Sequence, residues 1–126
     1  MFQSHKRKSG SIPFPMRKVL AITGMRGKAA RGAHTHKITQ QVLVCVQGGC
    51  IIDLDNGTDK KSILLNRPNQ GVVLYPYVWH VMRDFKPNSV LLVLADQEYD
   101  EKEYIRDYEK FLSYVRSSGK NSNRKK

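Results

Sequence analysis

Short apolar runs, each closed by a turn signal, follow one another along most of this chain. Residues 17–23 (RKVLAIT) alternate as a half-buried strand does, and further runs rich in Val, Ile, Leu and aromatic residues lie at 41–46, 50–54, 62–65, 71–75, 79–84 and 89–95. The run at 41–46 continues a strand that begins at 34–36. Between the runs stand a Gly- and Lys/Arg-rich turn at 24–32, Gly48-Gly49, Asp55-Asn56-Gly57, the loop 66–69, Pro76 and Lys86-Pro87-Asn88. Asn-Gly suits the positive φ of a hairpin turn. A chain that turns every ~8–12 residues has no room for long helices and folds as an antiparallel β-barrel or jelly roll. After residue 100 the period changes. Tyr104, Ile105, Tyr108, Phe111, Leu112 and Val115 fall three and four apart, which predicts an amphipathic helix over about 100–115. Asp100, Glu101 and Glu103 then read as the acidic first turn of that helix rather than as catalytic carboxylates. Tyr99, Tyr104 and Tyr108 read as helix packing, and Trp79 and Tyr75 as core or pocket wall.

The predicted class is therefore all-β with one C-terminal α-helix, in a single domain over 12–115. Residues 1–11 read as a flexible basic lead-in and 116–126 as a disordered basic tail. Of the net charge of +11, residues 1–9 and 116–126 hold eight basic side chains and no acid, which leaves +3 for 10–115. Charge placed in tails is not the clustered footprint of a specific nucleic-acid binder. The first residues lack the apolar core of a signal peptide, and no run approaches the ~20 apolar residues that span a bilayer. Cys45 and Cys50, five apart, are read as lying on opposite faces of one strand, so a mutual disulfide is not expected. A reduced cytoplasmic protein with free thiols follows.

The chemistry is concentrated in RGAHTHKITQQVLVCVQG, residues 31–48. His34 and His36 are two apart, so on a strand both point to one face. Gln41 follows, then Gly48. The run resembles the first cupin motif, whose HxH is followed by a Glu and a Gly; here the Glu position holds Gln41. Residues 71–84 (GVVLYPYVWHVMRD) resemble the second, in which a His stands five after the Pro; here that position is Val81, and His80 comes one earlier. With the carboxylate replaced by a neutral amide and the third His displaced, no metal is expected. The pair is then either acid/base machinery, since free imidazoles titrate near neutral pH, or a hydrogen-bonded remnant of a metal-binding ancestor.

Taken with QQVLVCVQG, NRPNQGVVLYPYVWHVMRDF and SVLLVLADQEYDEKEYIRDYEKF, the RGAHTHK run closely resembles the sugar 3,4-ketoisomerases of the FdtA and WxcM type over about residues 12–115. The resemblance implies a cupin jelly roll, a homodimer and an activity without metal or cofactor. That activity is tautomerisation of dTDP-4-keto-6-deoxyglucose through an enediol, within deoxyaminosugar synthesis for surface polysaccharide. It places His34 and His36 on the catalytic pair. Arg31, Lys37, Gln41, Tyr77, His80 and Arg83 become the candidate substrate-binding residues, Arg31 for phosphate or a sugar oxygen. Two other readings stay open: a nucleotide-sugar 3,5-epimerase, which would pair a His with an Asp and use a Tyr acid, and a non-catalytic sugar-binding cupin.

Overall fold

A computed structural model describes residues 6–8, 12–25 and 27–117. Ten strands run β1 (Lys6–Lys8), β2 (Lys18–Ile22), β3 (Gly27–His36), β4 (Gln41–Gln47), β5 (Cys50–Asp55), β6 (Lys60–Leu65), β7 (Gln70–Leu74), β8 (Trp79–Phe85), β9 (Val90–Ala95) and β10 (Tyr104–Ile105). A 3-10 turn (Glu101–Glu103) precedes β10, and helix α1 (Tyr108–Ser117) follows it. The strands form two five-stranded sheets, ordered β1-β7-β4-β9-β2 and β10-β3-β8-β5-β6, and every pairing is antiparallel. This is the expected jelly roll.

Period-2 alternation builds the core. Leu43 and Cys45 of β4, Ile52 and Leu54 of β5, Val72 and Leu74 of β7, and Leu91 and Val93 of β9 all turn inward between the sheets. Leu43 and Ile52 have no exposed surface, and truncating either to Ala costs about 2–5 kcal/mol. A second cluster lies outside the barrel, where Phe111 and Val115 of α1 join Ile105 and pack against Tyr77 and Trp79.

Four expectations change. The first concerns the helix, which does not run from 100. Asp100 caps the 3-10 turn by accepting from the Lys102 N–H at 3.0 Å, and Tyr104 and Ile105 leave that turn as a strand opposite His36 and Thr35. The helix starts after Asp107, whose side chain accepts from the Lys110 N–H at 3.1 Å. Tyr104 and Ile105 fit a helical spacing, yet the unpaired edge of β3 takes them as β10.

The supposed turn at 24–32 is the second change, because from Gly27 onward it is strand β3, paired with β8 and carrying irregularities between Gly27 and Ala30 and between Gly32 and His34. Gly32, with φ +93°, serves the second of them. Third, Cys45 and Cys50 sit on two strands, β4 and β5, flanking the Gly48-Gly49 turn, and both are buried free thiols. Last, the lead-in is not structureless where it is described: Lys6–Lys8 pairs with Val72 to Gln70 of β7. Arg116, assigned to the tail, belongs to α1, and the tail from 118 onward lies outside the described residues, as do most of the lead-in positions.

Candidate active site

Strand β3 brings two imidazoles to the barrel interior. At Gly32 the chain takes φ +93° and at Ala33 φ +56°, a bulge that turns His34 and His36 inward together. His80, on β8, lies directly opposite His34 in the ladder. The ring centres of His34 and His36 are 4.9 Å apart, those of His34 and His80 4.7 Å, and the His36 and His80 rings stack at 5.9 Å. Strand alternation sends His80 and Met82 inward and Trp79, Val81 and Arg83 outward.

His34 and His80 line a cavity of about 240 Å³, and His36, almost wholly buried, packs against both of their rings. Leu20, Ile22, Leu43, Met82 and Val93 give it an apolar floor, and Gln41 and His80 supply buried polar groups. At the rim stand three cations, Lys18, Arg31 and Arg106, with the Tyr104 ring. The volume lies below the ~300–1,000 Å³ of sites that enclose a drug-sized ligand.

Burial governs the protonation of all three rings. Desolvation, followed by the neighbouring His36, lowers His34 from 6.5 to about 4. His80, fully enclosed, lies well below the ordinary value because of burial and then the other two imidazoles. His36 is lowered by burial as well, though a carboxylate opposes the shift. All three are therefore neutral at pH 7.

That carboxylate is Glu103, which only 7 % of its surface leaves exposed. Its Oε2 is 2.7 Å from His36 Nδ1 and accepts from Thr39 Oγ1, while its Oε1 accepts from the N–H groups of Lys37 and Ile38, both at 3.1 Å. Burial alone would raise its pKa, but the hydrogen bonds from Thr39, His36 and Ile38 outweigh it and the group is lowered. The Tyr104 ring centre is 4.3 Å from that of His36 and 5.0 Å from that of His34. Arg106 lies over the Tyr104 ring at 4.5 Å and grips Glu101 with two 2.9 Å bonds.

Of the residues singled out from sequence, His34, His36, Arg31, Gln41 and His80 come together here. Three do not. Lys37 holds its ammonium 5.5 Å from the Tyr114 ring, on the helix side. Tyr77 packs on Tyr114 and meets the site only through its backbone, whose N–H donates to the His36 carbonyl at 2.8 Å. Arg83 faces outward and pairs with Asp53 and Asp84. The sequence reading missed Glu103, Tyr104, Lys18 and Arg106. A helix over 100–115 put Glu103 on its polar face and Tyr104 in its packing stripe, so only the strand at β10 reveals them. His80, read as displaced from a metal set, joins the other two imidazoles.

The nitrogens of His34, His36 and His80 lie within 4.8 Å of one another, and these three residues could hold a borderline divalent ion. Such an ion would polarise a bound carbonyl. The set lacks an anionic ligand, however: Gln41 is an amide, and Glu103 is occupied by His36, Thr39 and backbone N–H groups.

Comparison with known proteins now decides the family. Residues 2–116 match the family described as FdtA, WxcM-like, C-terminal. The chain belongs to this family. Over 105 residues the FdtA-family chain is 43 % identical to the TDP-4-oxo-6-deoxy-alpha-D-glucose-3,4-oxoisomerase of Aneurinibacillus thermoaerophilus, covering 83 % of this chain and 76 % of that one. It is also similar to the crystal structure of QdtA, a sugar 3,4-ketoisomerase from Thermoanaerobacterium thermosaccharolyticum in complex with TDP, with a TM-score of 0.89, 33 % identity and coverage of 94 % and 98 %. A 3,4-ketoisomerase from Helicobacter canadensis gives a TM-score of 0.88, 36 % identity and coverage of 92 % and 99 %. This FdtA-family protein thus shares its whole barrel with sugar 3,4-ketoisomerases. Among its described residues no helix is long and apolar enough to cross a membrane.

Proposed function

We propose that this protein interconverts the 4-keto and 3-keto forms of a TDP-linked 6-deoxyhexose, using its histidines as acid and base and no metal. The observation that carries the reading is a set of buried, neutral imidazoles beside a hexose-sized cavity rimmed by three cations. The substrate follows from the relatives, one of which is named for TDP-4-oxo-6-deoxyglucose.

The chemistry balances without a redox partner. The C4 ketone acidifies the C3 hydrogen, and a neutral imidazole removes that proton to leave an enediolate. The O3 proton passes to O4, C4 is protonated, and C3 becomes the carbonyl. Low dielectric around the pair strengthens hydrogen bonds to the enediolate oxygens. Lys18, Arg31 and Arg106 suit the diphosphate, and the guanidinium of Arg31 offers it a planar fork. The apolar floor suits the 6-methyl group. The 3-keto product is a substrate for an aminotransferase on the way to a surface-polysaccharide sugar.

The homodimer is also part of this reading. Val19 is 56 % exposed and Val46 41 %, and with Ala21, Val44, Leu92 and Leu94 they make one apolar outer face on the β4-β9-β2 part of a sheet. Outer faces of jelly rolls ordinarily carry polar residues at these positions, so a second copy covering the face is favoured. Sedimentation should give a dimer, and Val19→Asp should shift it toward monomer. The buried free thiols suit the reducing cytoplasm.

The deciding experiment is proton NMR of the protein with TDP-4-keto-6-deoxyglucose in deuterated water. New 3-keto signals with deuterium at C3 or C4 are expected. Deuterium at C5 would mean epimerisation, and binding without spectral change would mean a non-catalytic cupin.

A further inference from the structure

We infer that Glu101 is a positioning residue for the diphosphate of the substrate: from outside the cavity it holds the Arg106 guanidinium over the Tyr104 ring and leaves Nη1 free for phosphate oxygens. The diphosphate as ligand rests on the ketoisomerase reading, and the clamp on Arg106 goes beyond it.

Strand alternation supplies the placement. Tyr104 of β10 pairs with His36, Ile105 turns into the cluster under α1, and Arg106 returns to the side of Tyr104. Tyr104 and Arg106 both line the cavity, whereas Glu101 and Tyr99 are not among its lining residues. The guanidinium carbon lies 4.5 Å from the centre of the Tyr104 ring. Arg106 Nε donates to Glu101 Oε2 and Nη2 to Oε1, both at 2.9 Å. Among the described residues, Nη1 makes no hydrogen bond. A carboxylate on one edge and an aromatic face together fix both the position and the direction of a guanidinium.

Glu101 is fixed in its turn. Tyr99 Oη donates to its Oε1 at 2.5 Å, and Asp100 caps the 3-10 turn that carries it. The bonds from Arg106 and Tyr99 lower its carboxyl to about 2, so it is ionised at neutral pH.

Two effects of this acid oppose each other. A negative charge beside an anion site is unfavourable by Coulomb repulsion alone. The side chains of Arg106 and Glu101 are 51 % and 55 % exposed, so water and salt screen that repulsion. An arginine that is already ordered loses less side-chain entropy when the diphosphate arrives. Preorganisation therefore outweighs repulsion, and removing the acid weakens the anion site.

Calorimetric titration with TDP alone tests the clamp without turnover. Arg106→Ala should weaken TDP binding about tenfold, the loss of one charge-assisted contact. Glu101→Ala should weaken it about three- to tenfold, although a negative charge is lost from the rim. The double variant should bind no more weakly than Arg106→Ala, because Glu101 acts only through the arginine. Glu101→Ala binding TDP as tightly as the wild type, or more tightly, overturns the inference. An undiminished effect of Glu101→Ala in the Arg106→Ala background overturns it too, since a merely structural role would give that result. Nitrogen-15 NMR of the free wild-type protein needs no variant: the Arg106 Nε–H should show restricted motion. A freely mobile guanidinium overturns the inference even if the variants do not fold. Wild-type protein that binds TDP with the expected pattern but leaves the keto sugar unchanged removes the ketoisomerase reading and keeps the clamp. Wild-type protein that does not bind TDP overturns the diphosphate assignment, whatever its chemistry.

Discussion

Gly32 lies against the backbone of His80: a Cβ built on Gly32 would stand 3.0 Å from the His80 carbonyl oxygen and 3.6 Å from the His80 ring. The close approach joins the two strands that carry the three imidazoles. Gly32 also has φ +93°, a conformation that L side chains rarely adopt. Gly32→Ala is therefore expected to lower stability by about 1–3 kcal/mol, read as a fall in the urea midpoint. It should also lower kcat, because the bulge that aims His34 and the ring of His80 would both have to move.

Replacing His36 by Asn should leave the fold intact and lower turnover by about 10²–10⁴-fold, the range for a lost general acid or base. The amide keeps a polar group near Glu103 but cannot take a proton. A folded variant with near-normal rate, measured by formation of the 3-keto sugar, would remove His36 from the mechanism.

Strand alternation separates two arginines that the sequence offered as candidate binding residues. Arg31 lines the cavity, whereas Arg83 is on the outer face with Asp53 and Asp84. Arg31→Ala should raise KM about tenfold, the loss of one charge-assisted contact of about 1.4 kcal/mol. Arg83→Ala should leave KM unchanged and change stability little, because its ion pairs are solvent-screened. Steady-state kinetics on both variants checks the pair.

These contrasts show what the linear pattern carries. The barrel was legible because strands of period 2 bounded by Gly, Pro and Asn leave few alternatives, and the inward pair His34 and His36 follows from their spacing. Position 103 was not legible. Glu103 in an acidic, helix-like stretch has the same sequence signature whether it faces water or a buried imidazole; only the pairing of Tyr104 with His36 turns it inward. His80 was a candidate binding residue from its segment, but its grouping with the other two imidazoles was not legible, for a related reason. Its place depends on the register of β8 against β3, which a bulge at Gly32 shifts, and a bulge cannot be counted from spacing alone. Arg83 and Tyr77 were grouped with the site because they share its segment, although alternation and the helix take their side chains elsewhere.

The lowered histidines give stability a definite pH dependence. His34 binds its proton near 6.5 when unfolded and at about 4 when folded. Between those values the unfolded state holds more protons, so stability is complete above 6.5 and falls as pH drops toward 4. For this group alone the loss is on the order of 3 kcal/mol, and the lowered pKa values of His36 and His80 act in the same direction. Urea unfolding at pH 7 and pH 5 should show the midpoint falling. Activity should follow another course: because burial holds the imidazoles below their ordinary value, the acid limb of kcat/KM should lie below pH 6.5. A decline centred at 6.5 would mean that an ordinary, solvated imidazole limits the rate.

Metal offers the last test, and its sign distinguishes two uses of the same three rings. If the reaction needs imidazoles with free lone pairs, an ion bound by His34, His36 and His80 would tie up those lone pairs. Their nitrogens lie within 4.8 Å of one another, close enough for one borderline ion to draw them together. Chelators should then leave the rate unchanged, and added Zn²⁺ should inhibit, with full recovery on adding EDTA. His80→Asn should weaken the inhibition, because it removes one ligand. Loss of activity on EDTA with rescue by a divalent ion would reverse the assignment, making the cluster a Lewis-acid site and leaving Glu103 as the carboxylate that orients a metal-bound His36.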